Sequence, residues 1–442
     1  MPSTEFSRRA VLRGSALAGA GALAGCSALA GGPDPEPLPD ATPGPDDWPT
    51  TGYDARNTRY NAEATPPDSE PTPRWTRDFR GCRQPLVRGA RVVLNAENST
   101  VGLRATDGAE VWRSDAEPWF FQDPTLGAER AYATGSDCGF GYELGTGEQT
   151  WRGTPCHGAN THSGTIANGR LYLEYGGYVT AFDATGRATW AAAADVEGSP
   201  SVVGDTAFVA TAFTVEALDL TADASEWPWE GGDDDEPAHA DRDAVTKWSV
   251  PPQASTVGPR AYDSPAVSES LVLATYRRQD EPGGRLRALD RATGDERWAV
   301  GSPPVREVGE QPEPAPDPVS DPTPPVVSDD LILAALGDRR IRAVTRGGET
   351  RWTQSLDGNV AELVAGGDLL LAATHDPTIE RTGPDHGRIV AFDIEDGTRR
   401  WSLGFDDHVA NLAIAGGSVY ATRVVERDAD GNQRRQRLLA LS

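Results

Sequence analysis

One tryptophan-ended phrase recurs along the chain and constrains its fold more than any other feature. The clearest copies run from Ala288 to Trp298 and from Ala391 to Trp401, and both follow the pattern Ala-x-Asp-x-x-Thr/Asp-Gly-x-x-x-Trp. Successive tryptophans of the series lie 37, 39, 39, 58, 50, 54 and 49 residues apart: Trp75, Trp112, Trp151, Trp190, Trp248, Trp298, Trp352 and Trp401. A repeat of this length is one supersecondary unit, which buries its faces only by stacking on its neighbours.

The copy from Thr165 to Trp190 shows what one unit contains. Short β-prone runs such as Leu171–Leu173 and Val179–Phe182 alternate with three turns: Asn168-Gly169, Gly176-Gly177 and Thr185-Gly186. Glycine supplies the positive φ that tight hairpin turns need. A bare unit of about 40 residues suits a four-stranded propeller blade. We therefore predict an all-β chain of four-stranded antiparallel blades, with each tryptophan on an outer strand between neighbouring blades.

The two ends of the repeat region predict how the ring closes. The chain ends in Leu438–Leu441, which matches a third strand without a fourth. Near the start, Arg74–Phe79 matches a fourth strand with no blade before it. If these two strands complete one blade, the ring is eight-bladed and has no open edge.

The repeated phrase resembles the repeat of the pyrroloquinoline-quinone-like (quinoprotein-type) β-propeller family. The resemblance extends from Trp48 to the C-terminus, and the segment Trp48–Asn61 resembles the leading segment of such proteins. Trp227 also has the right spacing, but we assign the fourth-blade position to Trp248, because Lys247–Val250 resembles Arg297–Val300. The resemblance implies one propeller domain over residues 48–442.

The charge of the chain limits its partners. The formal net charge is −26, from 67 acidic and 41 basic residues, and Lys247 is the only lysine. Such a surface repels nucleic acid and anionic lipid headgroups. Self-repulsion is tolerable in concentrated salt, because the Debye length falls to about 3 Å at 1 M. The acid-rich, lysine-poor composition resembles that of proteins from extremely halophilic archaea.

The N-terminus resembles a lipoprotein export signal. Ser7–Arg13 resembles a twin-arginine motif, and a weakly apolar stretch too short to span a membrane follows it. Leu23–Cys26 resembles a lipobox, in which the thiol of Cys26 receives the lipid. We expect a signal peptide over residues 1–25 and a disordered Pro- and Asp-rich tether over residues 26–47. The protein is then exported and held by its lipid at the outer face of the cytoplasmic membrane.

The remaining cysteines predict a disulfide. Cys82, Cys138 and Cys156 are expected on one face of the ring, and outside the cell a disulfide is the default. Cys138 with Cys156 is the favoured pair, although sequence alone does not fix the pairing. A zinc set of Cys138, Cys156, His157 and His162 is the alternative, with a spacing unlike that of known fingers.

Two functional classes remain open after these observations. The favoured one is a binding or scaffolding protein without catalytic residues, cofactor or metal, which contacts a protein partner through a face of the propeller. It resembles non-catalytic propeller lipoproteins such as the one that assists β-barrel assembly in bacterial outer membranes. The alternative is a dehydrogenase that uses pyrroloquinoline quinone and calcium, although no two cysteines are adjacent here, as they often are near the quinone of such enzymes. The Asp-rich loop at 227–243 is interpreted as a solvated, mobile loop, with cation binding as the alternative. The Pro-rich loop at 302–325 is interpreted as a disordered loop, with a recognition segment as the alternative.

Overall fold

The protein consists almost entirely of β-strands. The structure, a computed structural model, describes residues 34–115, 122–135, 138–154, 163–175, 177–194, 196–211, 213–222, 242–251, 260–277, 283–301, 320–375, 386–427 and 433–442. Apart from Asp34, these residues belong to one compact unit, Pro35–Ser442. In the described part of the chain, no helix has the length and apolar character that crossing a bilayer requires.

The strands follow one another in an order that repeats. In chain order they are β1 (Tyr60–Asn61) and β2 (Pro73–Phe79); then β3 (Leu86–Arg88), β4 (Arg91–Ala96), β5 (Ser99–Arg104) and β6 (Glu110–Arg113); β7 (Thr125–Leu126), β8 (Arg130–Thr134), β9 (Gly139–Glu143) and β10 (Gln149–Arg152); β11 (Thr165–Ala167), β12 (Arg170–Tyr175), β13 (Tyr178–Phe182) and β14 (Ala188–Ala193); β15 (Ser201–Val203), β16 (Thr206–Ala210), β17 (Val215–Asp219), the helix α1 (Arg242–Val245) and β18 (Thr246–Val250); β19 (Arg260–Val267), β20 (Leu271–Arg277), β21 (Gly284–Asp290) and β22 (Glu296–Gly301); β23 (Val326–Val327), β24 (Leu331–Ala335), β25 (Arg340–Thr345) and β26 (Thr350–Ser355); β27 (Asn359–Gly366), β28 (Leu369–His375), β29 (Gly387–Asp393) and β30 (Arg399–Phe405); and β31 (His408–Ala415), β32 (Ser418–Arg427) and β33 (Gln433–Leu441).

The strands β2 to β33 form eight antiparallel sheets, which are the blades of a propeller, and β1 adds to blade 7 as a fifth strand parallel to β27. Blades 1 to 7 each take four consecutive strands, beginning with β3, β7, β11, β15, β19, β23 and β27. Blade 8 has the order β31-β32-β33-β2. The first strands of neighbouring blades contact each other, for example β15 with β19 and β27 with β31, so the first strands face the axis of the ring. The predicted eight-bladed all-β propeller is confirmed.

The ring closes through a strand from each end of the chain. In blade 8, β2 pairs antiparallel with β33, and Trp75 lies opposite Ala440. Arg437 and Asp78 form an ion pair of 2.6 Å across the same two strands. The predicted closure is thus confirmed, and the strand begins at Pro73 rather than at Arg74.

The recurring tryptophans join each blade to the next. The ring of Trp112, on the outer strand of blade 1, lies over Gly147 of blade 2, where an added Cβ would be 2.7 Å from the ring. Gly147 also has a φ of 74°, which favours glycine. The indole N–H donates to a carbonyl of the next blade in seven of the eight cases: Trp75 to Ala105, Trp112 to Leu144, Trp151 to Asp183, Trp248 to Arg291, Trp298 to Arg346, Trp352 to Ile394 and Trp401 to Pro67. These seven tryptophans therefore contribute both an apolar ring and a directional bond to the contact between blades.

Trp190 is the exception, and the long connection within blade 4 explains it. Its indole nitrogen is buried without a hydrogen-bond partner among the described residues. In blade 4 the third and fourth strands are not joined by a short turn, and α1 precedes the fourth strand. Val245 of α1 packs in the same apolar cluster as Trp190, where other blades present a turn carbonyl.

The packed part of the chain begins before the Trp48 boundary that the sequence predicts. Leu38 is buried, and its N–H donates to Gly169 of blade 3. Asp47 forms an ion pair of 3.0 Å with Arg88 of blade 1. Residues 36–47 thus contact the propeller directly, while the proposed signal peptide and residues 26–33 lie outside the described residues.

Candidate functional site

The segment of residues 48–61, here called the plug, runs around one end of the central channel. Innermost strands of six blades donate a backbone N–H to successive plug carbonyls: Val87 to Trp48, Leu126 to Pro49, Val202 to Ala55, Val267 to Arg56, Val327 to Thr58 and Ala365 to Arg59, at 2.7–2.9 Å. Blade 3 contributes the hydroxyl contact of Ser163 with Thr51, at 2.8 Å. A segment that touches seven blades in turn lies at the centre of the ring. These hydrogen bonds lie near the turns that join the first and second strands of the blades. The plug therefore lies at the face of the propeller that carries those turns.

The backbone of the plug has an uncommon conformation. Tyr53, Asn57 and Arg59 have φ values of 73°, 53° and 53°, in the left-handed region that few residues other than glycine adopt. The side chain of Asn57 donates to Ser199 and Ser201 of blade 4, at 3.1 and 2.8 Å. A Cβ on Gly52 would lie 2.1 Å from the Asn57 side chain, so glycine is required there. Contacts with the blades offset the cost of this conformation, about 1–3 kcal/mol per residue.

A buried ion pair fixes the plug to blade 7. The guanidinium of Arg59 lies 2.9 Å from the Glu362 carboxylate, and the two side chains are only 5% and 8% exposed. The second carboxylate oxygen accepts the N–H of Leu412 in blade 8, at 2.8 Å. Burial raises the pKa of Glu362 to about 7, against the lowering effect of Arg59 and the Leu412 N–H. A carboxyl with such a pKa can serve acid–base chemistry, but here one oxygen is bound by Arg59 of the plug and the other by the Leu412 N–H of blade 8.

Polar groups link neighbouring blades near the starts of the innermost strands. The hydroxyl of Ser163 contacts that of Ser199 at 2.7 Å, and Ser264 accepts the Ser199 N–H at 2.8 Å. Gln84 of blade 1 donates its side-chain N–H to the Leu412 carbonyl of blade 8 at 3.0 Å. These bonds satisfy polar groups that burial would otherwise leave unpaired. These side chains of the channel lining therefore form a hydrogen-bonded network between blades.

An exposed aromatic ring stands on the opposite face of the propeller. Phe213 lies between β16 and β17, on the side that carries the loops between second and third strands, and it is 65% exposed. The turn beneath it is held by the hydroxyl of Thr211, which accepts the N–H groups of Phe213 and Thr214 at 3.2 and 2.9 Å. Among the described residues, Val111 is the only other large apolar side chain classed as exposed. The propeller thus presents an aromatic side chain to solvent on a well-bonded turn.

The two described cysteines have different environments. Cys138 is disulfide-bonded, whereas Cys82 is a buried free thiol. Burial raises the pKa of Cys82 to about 12, so this thiol stays protonated and unreactive. Cys26, Cys156, His157 and His162 lie outside the described residues, and the pairing of Cys138 with Cys156 stays a prediction. No group of three or more His, Cys, Asp or Glu side chains within the described ranges could hold a metal ion.

Sequence reasoning missed the plug and its ion pair. The local signal for the plug was Gly52-Tyr53-Asp54 followed by Asn57, a turn-forming run without strand periodicity. Nothing local marked Glu362, which sits in a strand that otherwise reads as an apolar core strand. Residues 227–241 of the Asp-rich loop lie outside the described residues, as do residues 302–319 of the Pro-rich loop.

The fold and the tryptophan docking define an eight-bladed propeller of the quinoprotein-like type. A family model described as outer membrane protein assembly factor BamB matches residues 140–307 and 282–440, and the chain belongs to this family. No curated protein sequence matches the chain.

Solved structures with the same fold include BamB and quinoprotein dehydrogenases. BamB from Moraxella catarrhalis is 13% identical, with a TM-score of 0.54 over 84% of this chain and 99% of that one. The quinohemoprotein alcohol dehydrogenase ADHIIG from Pseudomonas putida HK5 is 12% identical, with a TM-score of 0.58 over 90% and 80%. A europium-containing methanol dehydrogenase is 12% identical, with a TM-score of 0.60 over 91% and 99%. At these identities the likeness establishes the fold alone.

Proposed function

We propose that the protein is a lipid-anchored propeller at the outer face of the cytoplasmic membrane, where it binds or scaffolds a protein partner without catalysing a reaction. The observation that carries the proposal is Phe213, exposed on a bonded turn of the face opposite the plug. Exposed aromatic side chains are frequent anchors of protein interfaces. The face that carries the plug is covered at its centre by the chain itself.

The charge of the protein favours an apolar anchor for recognition. With a net charge of −26, long-range attraction to most acidic proteins is absent, and in molar salt the Debye length is about 3 Å. Apolar contacts do not weaken with salt in this way, and some salts strengthen them. A partner that docks over Phe213 would therefore bind under conditions in which charge steering is lost.

The described residues of the channel offer no set of side chains that would hold calcium beside a quinone. Glu362 is engaged by Arg59 and by the Leu412 N–H, and no three acidic or other metal-binding side chains converge in the described part of the chain. The likeness to quinoprotein dehydrogenases keeps a quinone-dependent dehydrogenase as the second candidate. Titrating the purified protein with pyrroloquinoline quinone and calcium, and following the absorbance of the quinone, separates the two.

The partner can be found by crosslinking and then tested with purified components. A photoreactive phenylalanine analogue at position 213 should crosslink one surface protein in cells kept in high salt. With that partner purified, Phe213→Ser should raise the Kd at least about tenfold, as expected when a central aromatic anchor is lost.

Val111→Ser is the matched control, because Val111 is also an exposed apolar residue but lies on the outer strand β6. Its Kd should equal that of the unchanged protein. Equal binding by the Phe213→Ser variant would show that the partner does not dock on this face.

A further inference from the structure

A cavity of about 330 Å³ lies between the outer parts of blades 6 and 7. One wall is the end of β26 with the connection that follows it, from Gln354 to Gly358. The other wall is formed by β28, β29 and β30 of blade 7. Its volume is at the lower end of the range for ligand pockets, about 300–1,000 Å³.

Basic groups dominate the charged lining of this cavity. Among the described residues, Arg388 and Arg399 line it, together with His386 and a single acid, Asp357. Neither arginine forms an ion pair with another described residue, in contrast to the adjacent Arg400, which binds Asp393. Two guanidinium groups at one cavity, without an ion-pair partner in the described part of the chain, are unusual in a protein with 67 acidic and 41 basic residues.

The deeper part of the cavity is apolar. Val390 and Phe392 are 4% and 3% exposed and belong to the apolar cluster between blades 6 and 7. They alternate with Arg388 along β29, so one strand supplies both the charge and the apolar surface. The hydroxyls of Thr374 and Ser402 add neutral hydrogen-bonding groups to the lining.

The wall toward blade 8 is held in place from behind. His375 lines the cavity, and its ring lies 4.5 Å from that of His408, measured between centroids. A side chain packed in this way keeps its orientation when a ligand enters. The cavity is therefore formed in advance on one side, which lowers the entropic cost of binding.

We propose that this cavity binds a small organic carboxylate whose apolar part rests on Val390 and Phe392. A guanidinium presents parallel N–H groups that match the two oxygens of a carboxylate. An inorganic anion would satisfy the arginines but leave the apolar surface uncovered. The site goes beyond the proposed scaffolding role, because it lies at a blade boundary away from Phe213.

Three ring compounds of similar shape and different charge test the proposal. Benzoate, benzamide and benzamidinium are titrated into the full chain in about 1 M potassium chloride, and binding is followed by ligand-observed NMR. Benzoate should bind saturably, benzamide at least about tenfold more weakly, and benzamidinium not at all. Equal binding of benzamide and benzoate, or no saturable binding of benzoate, would overturn the proposal.

Single substitutions assign the binding to this cavity. Arg388→Gln and Arg399→Gln should each raise the Kd for benzoate roughly tenfold, since each removes a charged hydrogen bond. Arg351→Gln is the control: Arg351 is an exposed arginine on β26 that does not line the cavity. A loss of affinity in all three variants alike would indicate a general charge effect and refute the site.

Discussion

The hydrogen bonds between tryptophans and neighbouring blades can be measured by comparing two equally buried rings. Trp401 and Trp190 are both 6% exposed, but only Trp401 donates its indole N–H, to Pro67 at 2.8 Å. The nitrogen of Trp190 is buried without a partner among the described residues. Replacing each with phenylalanine removes a similar buried apolar area, so the free energy lost with that area largely cancels when the two variants are compared.

The difference in the free energy of unfolding follows from these contacts. Trp401→Phe loses a neutral hydrogen bond, which contributes about 1 kcal/mol net. Trp190→Phe removes a donor whose burial without a partner costs about 1–3 kcal/mol. Trp401→Phe should therefore be the more destabilising change, by about 2 kcal/mol or more.

Urea unfolding in about 2 M potassium chloride measures both variants, with fluorescence of the remaining tryptophans as the signal. Trp248→Phe provides a second bonded case, because Trp248 donates to Arg291 at 3.1 Å, and it should behave like Trp401→Phe. If Trp190→Phe is as destabilising as Trp401→Phe, the indole hydrogen bonds contribute nothing to the docking of the blades, and the reasoning is wrong.

Four further outcomes are expected. Deleting residues 74–79 should expose the edge of β33 and cause aggregation or proteolysis, seen by size-exclusion chromatography, whereas a monomeric, resistant product would contradict the closure. Burial raises the pKa of Glu362 from 4.5 to about 7, so its contribution to the free energy of unfolding is full below pH 4.5 and is lost as the pH rises through 7. Urea unfolding at pH 5 and pH 8 should therefore show a loss of stability of up to about 3 kcal/mol in the unchanged protein that the Glu362→Gln variant lacks. The same pH dependence in both proteins would argue against it. Mass spectrometry of the mature N-terminus should find lipid on Cys26, and a soluble product that begins elsewhere would refute the anchor. Lowering the salt from about 1 M to about 0.1 M should destabilise the fold, because the Debye length rises to about 10 Å and the acidic groups repel one another more strongly. Circular dichroism measures the change, and equal stability at the two concentrations would count against a halophilic protein.

Local chemistry explains why the blade architecture could be predicted. Each repeat contains its own turns and its own tryptophan, and glycines such as Gly147 stand where the next ring packs. A pattern of this kind is complete within about 40 residues, so one copy already implies four strands. The count of copies, with Arg74–Phe79 and Leu438–Leu441 left over, then determined eight blades and the closing pair.

The plug, its ion pair and the cavity were decided only in the tertiary structure. Arg59 and Glu362 are 303 residues apart in the chain, and neither has a neighbour in sequence that announces the other. The cavity combines the end of blade 6 with three strands of blade 7, and the missing partner of Trp190 depends on a helix in another blade. The sequence by itself determined the unit, the number of units and the ends that meet, because those depend on turns and periodicity. The contacts at the centre and between blades depend on which side chains the closed ring brings together, and no local pattern encodes that.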